Sequence, residues 1–328
     1  MQPYNFTYTY PSNSNRLSSI TNTLTRSQTY NYSYDSNGNI ISDEFRNIND
    51  ISYNSSNLPE QIINSQNDTI NYSYDSNGNR IRKAGLGIDE YYVQGIAGTT
   101  ESVMNGSGIF KFYNIMSGGE NIGKLIPPPT PNLSLNNIEL SGEHQALNSI
   151  TAQTNVIVND TAALLAGSVI YLKPGFTANS GCNFIASVGV VTNNSEKYYY
   201  LKDHLGSIRV TVDTLGQICG YDDYDTWGLP LDGRSDNFSN SDDKYKFTGK
   251  ERDVETGYDY FGARYYDSRI GRWLQVDPLA DKYPEISCYN YTLNNPIKII
   301  DPDGRSIWDC HNKICSQKGW QTIGEKNC

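Results

Sequence analysis

Side chains able to do covalent or metal chemistry are sparse in this 328-residue chain, which has three histidines and six cysteines. His204, in Lys202-Asp-His-Leu-Gly206, has the chemistry of a general base. No serine or cysteine nucleophile signature stands near it, so a buried turn histidine bonded through its ring nitrogens is expected. Asp222, Asp223 and Asp225 crowd together without the glycine-punctuated spacing of a calcium loop, and a solvated loop is expected there. Cys310, His311, Cys315 and Cys328 offer four soft ligands, but the adjacent Cys310-His311 pair does not match zinc spacing. No metal and no cofactor is therefore expected. Two Asp-Pro pairs, at Asp277 and Asp301, read locally as turn starters. Two carboxylates that approach closely have a further chemistry. They share a proton, so that one activates water while the other protonates a leaving amide nitrogen.

The elements that would position such groups read as strands. Asn31-Tyr-Ser-Tyr-Asp-Ser-Asn-Gly-Asn39 recurs letter for letter at Asn71 to Asn79, 40 residues on, with a degenerate copy at Ile51 to Leu58 between them. The underlying unit is thus about 20 residues, a period typical of stacked repeats. Tyr32 and Tyr34 alternate with polar residues and share one face of a strand. Asn37-Gly38 and Asn77-Gly78 suit a tight hairpin turn. One unit cannot bury its own aromatic face, but stacked units in a spiralling sheet can. The composition agrees: 26 Tyr, 28 Gly and only 19% charged residues suit half-wet strands and tight turns. The formal net charge of -10 argues against nucleic acid as the main partner. The most apolar run, Val156 to Leu172, is interrupted by Asn159 and Asp160, so no membrane span is expected. Met1 to Phe6 lacks a basic and an apolar segment, so no signal peptide is expected there. A chain working outside the cell would then be the C-terminal piece of something longer.

The texture changes along the chain. Residues 1-125 carry the tyrosine-rich repeats. Ile126-Pro-Pro-Pro-Thr-Pro131 is a stiff linker that opens a region, 126-196, poor in tyrosine and charge. Its short alternating runs, separated by turns such as Lys173-Pro-Gly-Phe176, read as a small β-solenoid, with Cys182 as a small core residue. It resembles the coat-hanger stack module of Bacteroidetes surface proteins through Ala166-Gly-Ser168 and Leu172-Lys-Pro-Gly-Phe176. The tyrosine-rich texture then returns over 197-304, leaving a tail at 305-328.

The Tyr-Asp-x-x-Gly-Asn core at Tyr34 to Asn39 and Tyr74 to Asn79 resembles the YD repeat of the Rhs, or rearrangement-hotspot, proteins. An ordered series from Tyr198 to Gly304 resembles their repeat-associated core domain. It includes Asp203-His-Leu-Gly206, Phe247-Thr-Gly-Lys-Glu-Arg252, Gly262-Ala-Arg-Tyr-Tyr266, Gly271-Arg-Trp273, Val276-Asp-Pro278 and Asp301-Pro-Asp-Gly304. The resemblance implies an all-β fold, a YD-repeat shell of antiparallel sheet interrupted by the inserted solenoid. It implies a secreted or cell-surface scaffold enclosing a C-terminal effector, with that cargo or an immunity protein as partner. It also implies an aspartyl self-cleaving centre: Asp277 and Asp301 match the family's catalytic pair, Arg264 its basic residue, and the cut falls between Gly304 and Arg305. Asp303 is the fallback for Asp301. Arg305 departs from the apolar residue usual after the glycine, and a charge fits poorly in an apolar pocket. Three other readings stay open: a glycan-binding surface of exposed tyrosines, a free-standing hydrolase, and a fragment without activity.

Overall fold

The computed structural model describes residues 6–23, 27–95, 98–136, 138–153, 155–189, 191, 195–237, 243–305 and 308–309. The protein is all-β: among the described residues, helical segments are single short 3₁₀ turns. Among the described residues no helix is long and apolar enough to cross a membrane. The chain divides into two compact units. One comprises residues 1–67, 200–212 and 216–328, and the other 68–199 and 213–215.

The first unit opens with β1 (Phe6–Thr9), β2 (Ser19–Asn22), β3 (Gln28–Tyr34), β4 (Ile40–Asp43), β5 (Ile48–Tyr53) and β6 (Pro59–Asn64), each antiparallel to the next. The YD motif makes the β3–β4 turn. Gly38 donates its N–H to the Asp35 carbonyl at 3.2 Å. The Asp35 carboxylate accepts the Asn39 N–H and the Asn39 side-chain amide, both at 2.8 Å. Gly38 alone takes a left-handed backbone, φ 91°, and the register shifts between Ser33 and Tyr34. The turn is therefore a three-residue loop with a glycine bulge, not the two-residue Asn-Gly turn expected from the letters. The second YD copy repeats it: Asp75 accepts from Asn79 at 2.8 and 2.9 Å. The Asn79 side-chain amide holds that carboxyl below its usual range. Asn57, φ 56°, takes the glycine's place in the degenerate copy.

The second unit continues the pattern with β7 (Thr69–Tyr74), β8 (Arg80–Gly85), β9 (Ile88–Gln94), β10 (Thr100–Asn105), β11 (Phe110–Ser117) and β12 (Glu120–Ile126). A parallel module follows: β13 (Thr130–Leu135), β14 (Ile138–Ala152), β15 (Val156–Ala166), β16 (Val169–Leu172), β17 (Phe176–Ala178) and β18 (Asn183–Val188). Ile150 lies beside Ile170, and Val156 beside Phe176. Each coil thus returns to the same position one turn on, which is a β-solenoid. Leu135, Leu140, Ile150, Val156, Val158 and Leu164 fill its core, with Cys182 packed against it. β19 (Glu196–Lys202) then pairs antiparallel with β12, Ile126 opposite Glu196 and Gly123 opposite Tyr199. The solenoid is an insertion within a hairpin.

The first unit resumes with β20 (Ile208–Asp213), β21 (Ile218–Tyr224) and β22 (Pro230–Asn237), then a small sheet of β23 (Glu251–Arg252), β24 (Asp259–Tyr260), β25 (Tyr265–Asp267) and β26 (Arg272–Trp273). A last hairpin joins β27 (Ile299–Ile300) to β28 (Trp308–Asp309). Phe247, Phe261, Tyr266, Trp273 and Tyr291 form an aromatic core, with Tyr266 and Tyr291 rings 4.3 Å apart. Each such ring pair contributes about 0.5–1.5 kcal/mol beyond its buried area.

Candidate functional site

Arg264 ends the turn after Phe261 and enters β25, where its side chain is 2% exposed. Its guanidinium lies 4.2 Å from the centre of the Trp273 ring, which β26 supplies. One terminal nitrogen, Nη2, faces both carboxylates: Asp277 Oδ2 at 3.0 Å and Asp301 Oδ2 at 3.2 Å. Nε donates to the carbonyl of Gly304 at 2.6 Å, and Nη1 to that of Cys288 at 3.4 Å. Burial lowers the guanidinium's proton affinity, and the two aspartates offset that only in part. The arginine thus holds both carboxylates and one peptide carbonyl at once, as its planar fork of donors permits.

The carboxylates differ. Asp301 is 1% exposed, and burial pushes its pKa up to about 7 despite the arginine beside it. Its Oδ1 accepts three backbone N–H groups, from Asp303 at 3.3 Å, Gly304 at 2.8 Å and Arg305 at 3.2 Å. Asp277 is 22% exposed, and its Oδ1 caps the following turn by accepting the Leu279 N–H at 2.7 Å. Gly304 sits at φ 73°, and a Cβ there would come within 2.9 Å of the Arg264 backbone nitrogen. Only glycine brings its carbonyl this close to the arginine.

The structure therefore brings together Arg264, Asp277, Asp301, Gly304 and Arg305. Arg305 is exposed, so its charge occupies no apolar pocket. Asp303 is exposed and accepts the Arg305 N–H at 2.9 Å, while Asp301 takes the guanidinium. His204 bonds the Ile297 carbonyl at 2.9 Å through Nε2 but is exposed, not buried as expected, because its turn lies at the surface. The acidic run is not a merely solvated loop. Asp222 pairs with Lys246 at 2.6 Å, Asp223 with Arg209 and with Arg234, and Asp225 caps a turn by accepting N–H groups from Trp227 and Leu229. Cys310, His311, Cys315 and Cys328 lie outside the described residues.

A second arginine–aspartate cluster escaped the sequence reading. Asp43 and Asp267 are fully buried near Arg46, which bonds Asp267 from Nε at 3.1 Å. The Tyr258 hydroxyl donates to Asp43 at 2.8 Å. Burial, with the Asp267 charge adding to it, pushes Asp43 up to about 7. Separations above 200 residues left no local signal of these contacts.

Comparison with known proteins gives a consistent placement. The Teneurin YD-shell family matches residues 186–297. A tRNA3(Ser)-specific nuclease WapA of Bacillus spizizenii is 34% identical over 121 residues, which is 36% of this chain and 5% of that protein. The toxin subunit YenC1 of Yersinia entomophaga is 37% identical over 112 residues, 34% of this chain and 11% of that protein. The chain thus spans about a tenth or less of these relatives' lengths. The crystal structure of TcdB2-TccC3-Cdc42 shares the fold over 92% of this chain and 13% of its own, with a TM-score of 0.54 at 18% identity. With its two YD turns and its stacked antiparallel strands, the chain is similar to the shell and core region of the Rhs/YD-repeat proteins, most directly over residues 186–297.

Proposed function

We propose that this shell and core region serves an exported toxin-type protein, holds a C-terminal effector, and frees it by cutting its own Gly304–Arg305 bond. An immunity protein would be the effector's other partner. One observation carries the cleavage reading: the Arg264 guanidinium contacts the Gly304 carbonyl and both aspartates together. Asp277, the more exposed carboxylate, takes a proton from water as the water oxygen attacks the Gly304 carbonyl carbon. Arg264 Nε stabilises the developing oxyanion. Asp301, whose raised pKa keeps it protonated to near neutrality, gives its proton to the Arg305 nitrogen as the C–N bond breaks. The products are a Gly304 carboxylate and an Arg305 amine.

The test is intact mass of the purified chain beside Asp301→Asn. Loss of residues 305–328 in the parent alone is expected. An uncut parent would sink the cleavage reading and leave the scaffold. A second reading, glycan binding, has one observation in its favour. A polar groove of about 500 Å³ is lined by Tyr10, Arg272, Tyr289 and Asn290. Arg272 itself bonds the Tyr10 hydroxyl at 3.0 Å, so part of that groove is internally satisfied. Retention on immobilised glycans, lost in Tyr10→Ala, would support the groove's use.

A further inference from the structure

Three successive carbonyls lead to the bond in question, and each accepts a hydrogen bond. The Pro302 carbonyl takes the Lys250 Nζ at 2.5 Å, the Asp303 carbonyl the Ala263 N–H at 3.0 Å, and the Gly304 carbonyl the Arg264 Nε at 2.6 Å. Of these donors only Arg264 reaches the carbonyl that would react. We propose that Lys250 is a positioning residue for self-cleavage, clamping the Asp301–Gly304 turn through the Pro302 carbonyl and placing a positive charge beside that turn. This rests on the cleavage reading above.

The placement of Lys250 is built in. It follows the 3₁₀ turn Phe247–Gly249 and closes it with its own N–H on the Phe247 carbonyl at 3.0 Å. Phe247 is anchored in the aromatic core. The ammonium lies 5.5 Å above the Phe261 ring, and the Phe261 N–H bonds the Arg264 carbonyl at 3.0 Å. The clamp and the arginine therefore share one rigid support. Charged groups facing Lys250 are Asp301 and Asp303, with Lys202 opposing them. Asp301 in turn faces Arg264, Asp303 and the Tyr291 ring hydroxyl. Removing Lys250 takes away a cation that faces Asp301 beside Arg264.

Two consequences separate a positioning role from a structural one. Loosening the turn lowers the cleavage rate, since small misplacements of a reacting group cost about ten- to a hundredfold. Losing the charge raises the proton affinity of Asp301, so cleavage extends to higher pH. The experiment recovers full-length parent, Lys250→Met and Lys250→Gln chains directly into denaturant from inclusion bodies, before they fold and cut, refolds them by dilution between pH 4 and 9, and follows the cut by intact mass. Lys250→Met should cut at least about tenfold more slowly, with its alkaline limb moved up. Lys250→Gln keeps a donor for the Pro302 carbonyl, so it should recover much of the rate but keep the shifted limb. A parent that cuts beside variants of unchanged rate and pH profile would overturn the role of Lys250 and spare the cleavage reading. A slower Lys250→Gln with an unmoved limb would show a packing role only and overturn it too. A parent that never cuts would overturn both.

Discussion

Two buried clusters in this protein share a composition, one arginine between two aspartates, and differ in everything that decides use. Around Arg46 both carboxylates are closed off: Asp43 is 1% exposed and Asp267 is fully buried. Tyr258 caps Asp43 of β4, and Arg46, in the short 3₁₀ turn after β4, bonds Asp267 of β25. No peptide carbonyl that could be cut is held on that arginine among its described bonds. Around Arg264 the Gly304 carbonyl sits on the guanidinium, and Asp277 reaches solvent. The first arrangement ties distant segments together. The second presents a peptide bond, an acid, a base with access to water, and an oxyanion donor. An arginine–aspartate pair is thus a clasp or a reaction centre according to what else reaches it.

The sharpest way to break this contrast is to replace acids in both clusters. Asp301→Asn and Asp277→Asn should each lower cleavage by at least about a hundredfold, followed by intact mass, while Asp267→Asn in the other cluster leaves the cut intact in whatever fraction folds. Next in size is Arg46→Met. It strands two buried carboxylates and should cost about 3–5 kcal/mol in denaturant unfolding. Cleavage per folded molecule should be retained, and its loss would dissolve the distinction.

The pH dependence of the clasp comes third. The folded pKa of Asp43, about 7, lies above its ordinary value of 3.8. Between these the folded chain keeps a proton that the unfolded chain releases, so stability falls as pH rises from about 4 to about 7 and levels off above. The slope is at most about 1.4 kcal/mol per pH unit for one proton. Asp301 shifts the same way, so the measurement compares the parent with Asp43→Asn, whose slope should be shallower. A smaller effect is expected for Tyr258→Phe, about 1–3 kcal/mol from the lost bond to Asp43. Smallest is Arg305→Leu. Its exposed side chain predicts a cleavage rate within about twofold of the parent. A large gain would instead reveal an apolar pocket for that position.

How much of this was legible follows from distance along the chain. The YD turns were visible because the bonds that close them span four residues or fewer: Asp35 to Asn39, Asp75 to Asn79. Even there the bulge was missed, since Asn-Gly spells two turn types and the Asp35 side chain selects one. The solenoid was readable from alternation alone, because Val156 and Val158 face inward and Ile157 outward. Arg264, Asp277 and Asp301 were named through family resemblance, not through spacing. Lys250 stood in plain view within Phe247-Thr-Gly-Lys250 but had no local reason to matter. The Arg46 clasp left no trace: Asp43 and Arg46 stand three residues apart, but the Asp267 and Tyr258 that complete it lie more than 200 residues on.

The sequence by itself determined the strands, the places where turns join them and the inserted solenoid. These follow from side-chain alternation and from hydrogen bonds between near neighbours, which every copy of the motif repeats. Only the tertiary structure decided which carboxylates lose their water, which arginine they share and which carbonyl lies against it. Those depend on desolvation, and desolvation is a property of everything packed around a residue, not of the residues beside it in the chain.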